Sequence, residues 1–161
     1  MLLDEIDAIQ NPALGATLIW RSICGFYSES GKAAGAPATL AFLVLPLIFN
    51  QDLREVISST RKSSGVRLFE SKFDKQADLL MSIQDRAESM LELSRRSLGM
   101  SISAGLLSLT PATATLWPRS TTLPRALTSD ISALTSAAEK IGAWAQQISL
   151  RELCFALRLE L

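Results

Sequence analysis

Apolar residues in this chain recur mostly at steps of three and four, the spacing of one helix face, and only briefly in the manner of a strand. Asn11 carries a side-chain oxygen able to cap a helix start. Pro12 suits the first helical position, because its fixed φ fits and its missing donor would be unpaired there anyway. Leu14, Leu18, Arg21 and Cys24 then share one stripe, with Ile19, Trp20, Ile23 and Tyr27 beside it, which predicts a helix to about Tyr27. Gly25, Gly31 and Gly35 loosen the chain up to Pro37. A second helix is expected over about 37–59. Its first half, Leu40 to Phe49, is almost wholly apolar, and Pro46 removes one backbone donor and clashes one turn back, so a kink is expected near Phe42 to Leu45. Beyond Pro46, Leu47, Ile48, Leu53, Val56 and Ile57 carry the apolar side, while Asp52, Arg54 and Glu55 face water. A Ser-rich hinge at 58–65 precedes Val66, Leu68 and Phe69, which read as the start of a short helix.

From Asp74 to about Ile102 the helical spacing returns, with Leu79, Leu80, Ile83, Ala87, Met90, Leu91 and Leu98 on the apolar side. One break is expected, with Ser94 capping a helix from Arg95 to Ala104 and Gly105 supplying the left-handed stop. Leu106 to Leu109 and Thr113 to Trp117 are β-like runs joined by Thr110-Pro111-Ala112, and Pro118 ends the second. Helix, turn, helix and hairpin in this order is the layout of a winged helix. Thr128 or Ser129 is expected to cap a helix with Ile131, Leu134, Ala138, Ile141, Trp144 and Ala145 on one face. Ser149-Leu150-Arg151-Glu152 has capping-box spacing and opens a last helix, with Leu153, Phe155, Leu157 and Leu159 as its apolar side chains. The expected fold class is therefore mainly α: one compact helical domain over 1–161. It comprises a helical pair at 11–60, a winged-helix-like helix-turn-helix plus small β-hairpin at 74–119, and C-terminal helices at 128–161.

Composition agrees with one core: the chain has 161 residues, 48% hydrophobic and 20% charged. Sixteen basic and sixteen acidic side chains cancel, so no overall field draws the chain to nucleic acid or to an acidic membrane. The uncharged stretch from Pro37 to Phe49 spans thirteen residues, well short of the roughly twenty needed to cross a bilayer. It reads as a buried core helix, not a membrane element. The start, Met1-Leu2-Leu3-Asp4-Glu5-Ile6-Asp7, is acidic and lacks a basic n-region, so it is not read as a signal peptide. Cys24 and Cys154 each sit in an apolar pattern and read as buried small hydrophobes in a reducing compartment, which points to the cytoplasm.

Candidate chemistry is sparse. The chain has no histidine, which removes the commonest general base, the Ser-His and Cys-His nucleophile pairs, and imidazole-based metal sites. Ser28-Glu29-Ser30-Gly31-Lys32-Ala33 departs from a phosphate loop, because five residues separate Gly25 from Gly31 where that loop has four, and Ala33 replaces the magnesium-binding hydroxyl. It reads as a solvated turn. Asp4, Glu5 and Asp7 read as a solvated terminus rather than a metal or base pair. No catalytic residue, cofactor, metal or small-molecule substrate is expected. Arg95 and Arg96, on the second helix of the winged-helix-like part, join Arg119 after the hairpin as candidate nucleic-acid contacts; nearby Glu88 and Glu92 favour a solvated or protein-binding face. Trp20 and Trp144 lie on apolar helix faces and read as core. Trp117, at the hairpin edge beside Pro118, is a candidate partner contact, as are Phe42, Leu45 and Pro46 of the apolar helix.

The segment Asn11-Pro12-Ala13-Leu14-Gly15-Ala16, leading into Leu18-Ile19-Trp20-Arg21, then Leu40 to Leu47 and Leu53-Arg54-Glu55, resembles the middle component of three-component ABC ATPase systems. These are the Lamassu-type bacterial defence operons. The resemblance is sharpest over 11–60 and continues through 74–117, where Ala104 to Leu109 resembles the family's helix-to-strand junction. It implies a non-catalytic subunit that joins an SMC-like ABC ATPase to an effector, commonly a nuclease, in defence against phage or plasmids. A winged-helix DNA-binding regulator is the alternative that the arginines and the hairpin suggest.

Overall fold

A computed structural model describes residues 11–65, 71–72, 77–125 and 127–156. The expected short helix at Val66 to Phe69, the acidic start, and Leu157 and Leu159 lie outside these residues. Among the described residues the chain is 69% helix, with seven α-helices and a small antiparallel sheet of three strands. Helix α1 runs Pro12–Glu29, with Asn11 as its cap: the Asn11 carboxamide oxygen accepts the Leu14 N–H at 3.1 Å. Every residue from Leu18 to Cys24 is buried, so α1 is enclosed on all sides and forms the centre of the molecule. Strand β1, Ala36–Pro37, and a 3-10 turn, Ala38–Leu40, lead into α2, Ala41–Ile48.

Pro46 sits inside α2, and the expected continuous helix over 37–59 is instead divided at Phe49 and Asn50. The division lies after Pro46 rather than before it. Asn50 supplies the physical cause: its side-chain oxygen accepts the Asp52 and Leu53 N–H groups at 3.0 and 3.2 Å, starting α3, Gln51–Ser59, as a separate helix. The carbonyls freed at the end of α2 are met by cations, as a helix C-terminus favours. Arg54 donates to the Ile48 oxygen and Arg86 to the Phe49 oxygen, both at 2.9 Å.

Helices α4, Ala77–Ser89, and α5, Leu91–Ser103, meet at Met90, four residues before the expected break. Ser94 is not a cap; it lies inside α5, buried against the core. The end of α5 follows expectation: Gly105 has φ +76°, Leu106 N–H bonds the Ser101 oxygen and Gly105 N–H bonds the Ile102 oxygen, the paired bonds of a Schellman motif. Strands β2, Leu107–Thr110, and β3, Thr115–Pro118, form the hairpin, joined by a longer turn than the sequence suggested. β1 adds to β3, which the sequence analysis did not anticipate, and gives the sheet order β1-β3-β2. Helix α6, Ser129–Gln147, starts at Thr128, whose hydroxyl accepts the Ile131 N–H; α7, Leu150–Ala156, starts at Ser149, whose hydroxyl accepts the Glu152 N–H.

One apolar cluster reaches from Leu14 to Cys154. Its tightest seam is α1 against α6. A Cβ built on Gly142 would stand 1.8 Å from the Ser22 carbonyl oxygen, and one on Gly25 would stand 2.3 Å from the Glu139 oxygen, so the two backbones approach as only glycine permits. On the other side of α1, Gly15 packs on Ser97 of α5.

Candidate interaction surfaces

The residues proposed from sequence divide into buried and accessible sets. Leu45 is fully enclosed and Pro46 is buried, so both belong to the core of the chain and offer no surface to a partner. Phe42 is half-buried against the same core. Trp117 is also half-buried: it stands edge-on to Tyr27, with ring centroids 6.4 Å apart and planes at 72°, and covers Gly35. Arg95 and Arg96 on α5 and Arg119 after β3 are exposed. Trp20 and Trp144 are core residues whose indole N–H groups donate to the Ser120 and Lys62 carbonyls, at 2.7 and 3.2 Å.

Arg21 carries a feature that the apolar stripe already signalled, since a charge among buried positions needs a partner. Its side chain is 11% exposed, stacks 4.8 Å from the Trp20 ring centroid, and pairs with Glu139 of α6 through Nε and Nη2. Nη1 donates to the Thr121 oxygen at 2.9 Å. With the Trp20 and Cys24 contacts to the Ser120 oxygen, this ties the segment after the hairpin onto α1. The arrangement is a structural clamp. Burial pushes the Cys24 thiol up to about 11 against the opposing pull of Arg21, and burial raises Cys154 as well, so neither is a ready nucleophile. Both thiols are free.

Lysines close the end of α3. Lys140 donates to the Ile57 and Ser58 oxygens at 3.2 and 3.1 Å, and Lys72 donates to the Ser59 oxygen at 3.0 Å and the Thr60 hydroxyl at 2.8 Å. Desolvation, then the Lys72 charge, lowers the Lys140 pKa. At the turn rejected as a phosphate loop, the Ser30 hydroxyl accepts the Ala33 and Ala34 N–H groups, using donors that a phosphate would need. Among the described residues no cluster of three or more His, Cys, Asp or Glu is placed to hold a metal, and no helix is long and apolar enough to cross a membrane.

The accessible apolar surface is unevenly placed. Among the described residues the exposed large hydrophobics are Met81, Leu91, Met100 and Leu109 on α4, α5 and β2, and Phe155, 86% exposed, on α7. Phe155 was expected on the buried side of the last helix; Leu153 and Cys154 fill that side instead. None of these positions lies on α1 or α6. The family model for the ABC-three component (ABC-3C) system Middle Component 3 matches residues 1–160. The chain belongs to this family. No curated protein and no solved structure matches it. As an ABC-three component middle component, it is a subunit that assembles with the other components of such a system.

Proposed function

We propose that this middle component is a non-catalytic bridging subunit of a Lamassu-type defence complex, linking an SMC-like ABC ATPase to an effector such as a nuclease, in the cytoplasm. The family match over residues 1–160 carries the reading. Three further observations support it. The chain has no histidine, and the Arg21, Arg54, Arg86 and Lys140 side chains are engaged on helix ends and on the Arg21–Glu139 clamp. Among the described residues, Met81, Leu91, Met100, Leu109 and Phe155 keep apolar surface exposed, as a subunit held between partners requires. The two free buried thiols suit a reducing compartment.

The test is reconstitution from the three purified components. Association of the ATPase with the effector is measured by size-exclusion chromatography with and without this chain. A ternary complex that forms only when the chain is present supports bridging, whereas association that is equal without it refutes bridging.

A second reading, a winged-helix DNA-binding regulator, is favoured by one observation: a strand after the first helix joins a hairpin that follows α5, and α5 presents Arg95 and Arg96 to solvent. It requires DNA affinity that falls with salt and is lost in Arg95→Ala with Arg96→Ala. A chain that fails to bind DNA at low salt ends that reading.

A further inference from the structure

The segment that leaves α3 gathers four cations at the end of that helix. Lys140 of α6 donates to the Ile57 and Ser58 oxygens, and Lys72 donates to the Ser59 oxygen and the Thr60 hydroxyl. Arg61 and Lys62 follow directly in the chain, and Lys62 opens a 3-10 turn, Lys62–Ser64. The Lys62 oxygen accepts the Trp144 and Gln147 side-chain N–H groups at 3.2 and 3.4 Å, so this turn is fixed to α6 one helical turn beyond Lys140. Its backbone is held while the Arg61 and Lys62 side chains stand exposed, and among the described residues neither side chain makes a hydrogen bond or an ion pair.

These charges are not offset within the chain. The C-terminus of α3 supplies about half a negative charge, against four positive side chains. Glu29 accepts from Gln147 at 3.1 Å, and among the described residues no carboxylate forms an ion pair with any of the four cations. Desolvation and then the Lys72 charge lower the Lys140 pKa, as two cations held side by side require. Roughly three positive charges thus stand uncompensated in one place, in a chain whose total charge is zero.

A polyanion is the partner that such a patch attracts. Phosphate contacts are made by lysine, arginine and hydroxyl groups together, and the exposed Ser63 and Ser64 stand next to Arg61 and Lys62. Carboxylates favour the arginine fork, whereas three of these four cations are lysines. Single strands are held by aromatic rings on which bases stack, and the ring at this turn, Trp144, is 1% exposed. Duplex DNA offers the dense line of charge, about one per 1.7 Å of axis, that a compact group of cations meets without stacking. We infer that Arg61 and Lys62, with Lys72 and Lys140, form a contact for the phosphate backbone of duplex DNA, made without regard to sequence. The contact lies on other elements than Arg95, Arg96 and Arg119, and it goes beyond the bridging role because it needs neither the ATPase nor the effector.

The experiment is fluorescence anisotropy of a labelled DNA duplex of arbitrary sequence, titrated with the full chain between about 50 and 200 mM salt. Four phosphate contacts at about 0.9 each predict a slope of about −3.6 in log K against log salt, an affinity loss of about 150-fold over that range. Arg61→Gln with Lys62→Gln removes two of the contacts, so the slope becomes shallower by about 1.8 and the affinity at the lower salt falls at least tenfold. Both side chains are exposed, so the urea midpoint of that variant stays at the wild-type value. Arg95→Ala with Arg96→Ala leaves the slope unchanged. No binding at the lower salt overturns the inference, and so does a loss that appears in the Arg95 and Arg96 variant but not in the Arg61 and Lys62 variant. Tighter binding to duplex RNA or to poly-glutamate overturns the partner named here. Bridging is read from the association of the other two components, so its failure and the failure of this contact are separate results.

Discussion

Replacing Gly142 by alanine tests the claim that the fold is held at one backbone-to-backbone crossing. The added Cβ would stand 1.8 Å from the Ser22 carbonyl oxygen, 2.8 Å from the Ser22 carbonyl carbon and 2.9 Å from the Phe26 nitrogen. Ordinary contact begins near 3.4 Å, so α6 must retreat by about 1.6 Å (3.4 − 1.8). None of the atoms in the way is the free end of a side chain that could swing aside. Overpacking a core costs about 1–3 kcal/mol, and a clash with backbone on both sides belongs at or above the top of that range. Alanine returns about 1 kcal/mol of helix propensity to α6. The net expectation is a loss of about 2–3 kcal/mol, a large part of a stability that is typically about 5–15 kcal/mol. Gly99→Ala is the internal control: it lies in α5 with nothing within 4 Å of its Cβ, and is expected to gain about 0.5–1 kcal/mol from propensity alone.

Urea denaturation followed by far-ultraviolet circular dichroism measures both, and the two midpoints are expected to move in opposite directions around wild type. Gly25→Ala adds a second reading, because its Cβ meets the Glu139 oxygen at 2.3 Å across the same seam. One outward shift of α6 relieves both clashes, so the double variant is expected to lose less than the sum of the singles. If Gly142→Ala is as stable as Gly99→Ala, the crossing is not set by that contact and the packing argument fails.

Three other outcomes follow from the side chains around the clamp and the helix ends. Burial keeps the Cys24 thiol protonated to about pH 11 in the folded chain, whereas it ionises near the ordinary thiol value of 9.0 when unfolded, so the unfolded state holds fewer protons in between and stability falls as pH rises from 9 to 11. Two pKa units correspond to about 2–3 kcal/mol, a slope that Cys24→Ala removes; equal losses for the two proteins in urea titrations at pH 8.5 and pH 10.5 would sink the assignment. Glu139→Gln leaves the buried Arg21 guanidinium without its counter-charge, and because Glu139 is 36% exposed the loss is expected to be about 1–2 kcal/mol, less than for a fully buried pair, read as a lower thermal midpoint. Arg86→Met strips the Phe49 oxygen of its donor at the end of α2 and is expected to cost about 1–2 kcal/mol; an unchanged denaturation midpoint would show that the cap contributes nothing.

The parts of the fold legible in the sequence are those fixed by local chemistry. Asn11, Thr128, Ser149 and Gly105 act within three or four residues of themselves, and each starts or stops the helix that its type and place predict. Pro46 lies inside a helix, and the expected 37–59 helix divides at Asn50, which caps a new helix while Arg54 and Arg86 satisfy the carbonyls that the division frees. The break at Met90 has no capping residue to announce it: Met90 supplies no side-chain cap, and its side chain is instead buried in the core. Ser94 has a cap's chemistry but stands with Ser97 and Ser101 in the buried face of α5, where small residues allow α1 to come close at Gly15. β1 is two residues long and pairs with a strand almost eighty positions away, so no periodicity within it signals a strand. Of the candidate partner contacts, Phe42 and Trp117 keep part of their surface, while Leu45 and Pro46 show that an apolar run identifies what must be hidden and not what hides it.

That distinction also separates the two kinds of substitution this chain invites. The clamped side, α1 with α6, is joined by glycine contacts, by Arg21 with Glu139, and by the segment after β3 hung on Trp20 and Arg21; changes there act on folding. The α4–α5–β2 side carries Met81, Leu91, Met100 and Leu109 in solvent; changes there remove little that the isolated chain relies on. A subunit that assembles with other components needs this division, because a surface kept for a partner contributes nothing to stability until the partner arrives. Leu109→Lys is therefore expected to leave the urea midpoint of the isolated chain within about 0.5 kcal/mol of wild type while weakening assembly, and Gly142→Ala to do the reverse at temperatures where it remains folded. Loss of both properties together in Leu109→Lys would place that residue in the core and withdraw β2 from the partner surface.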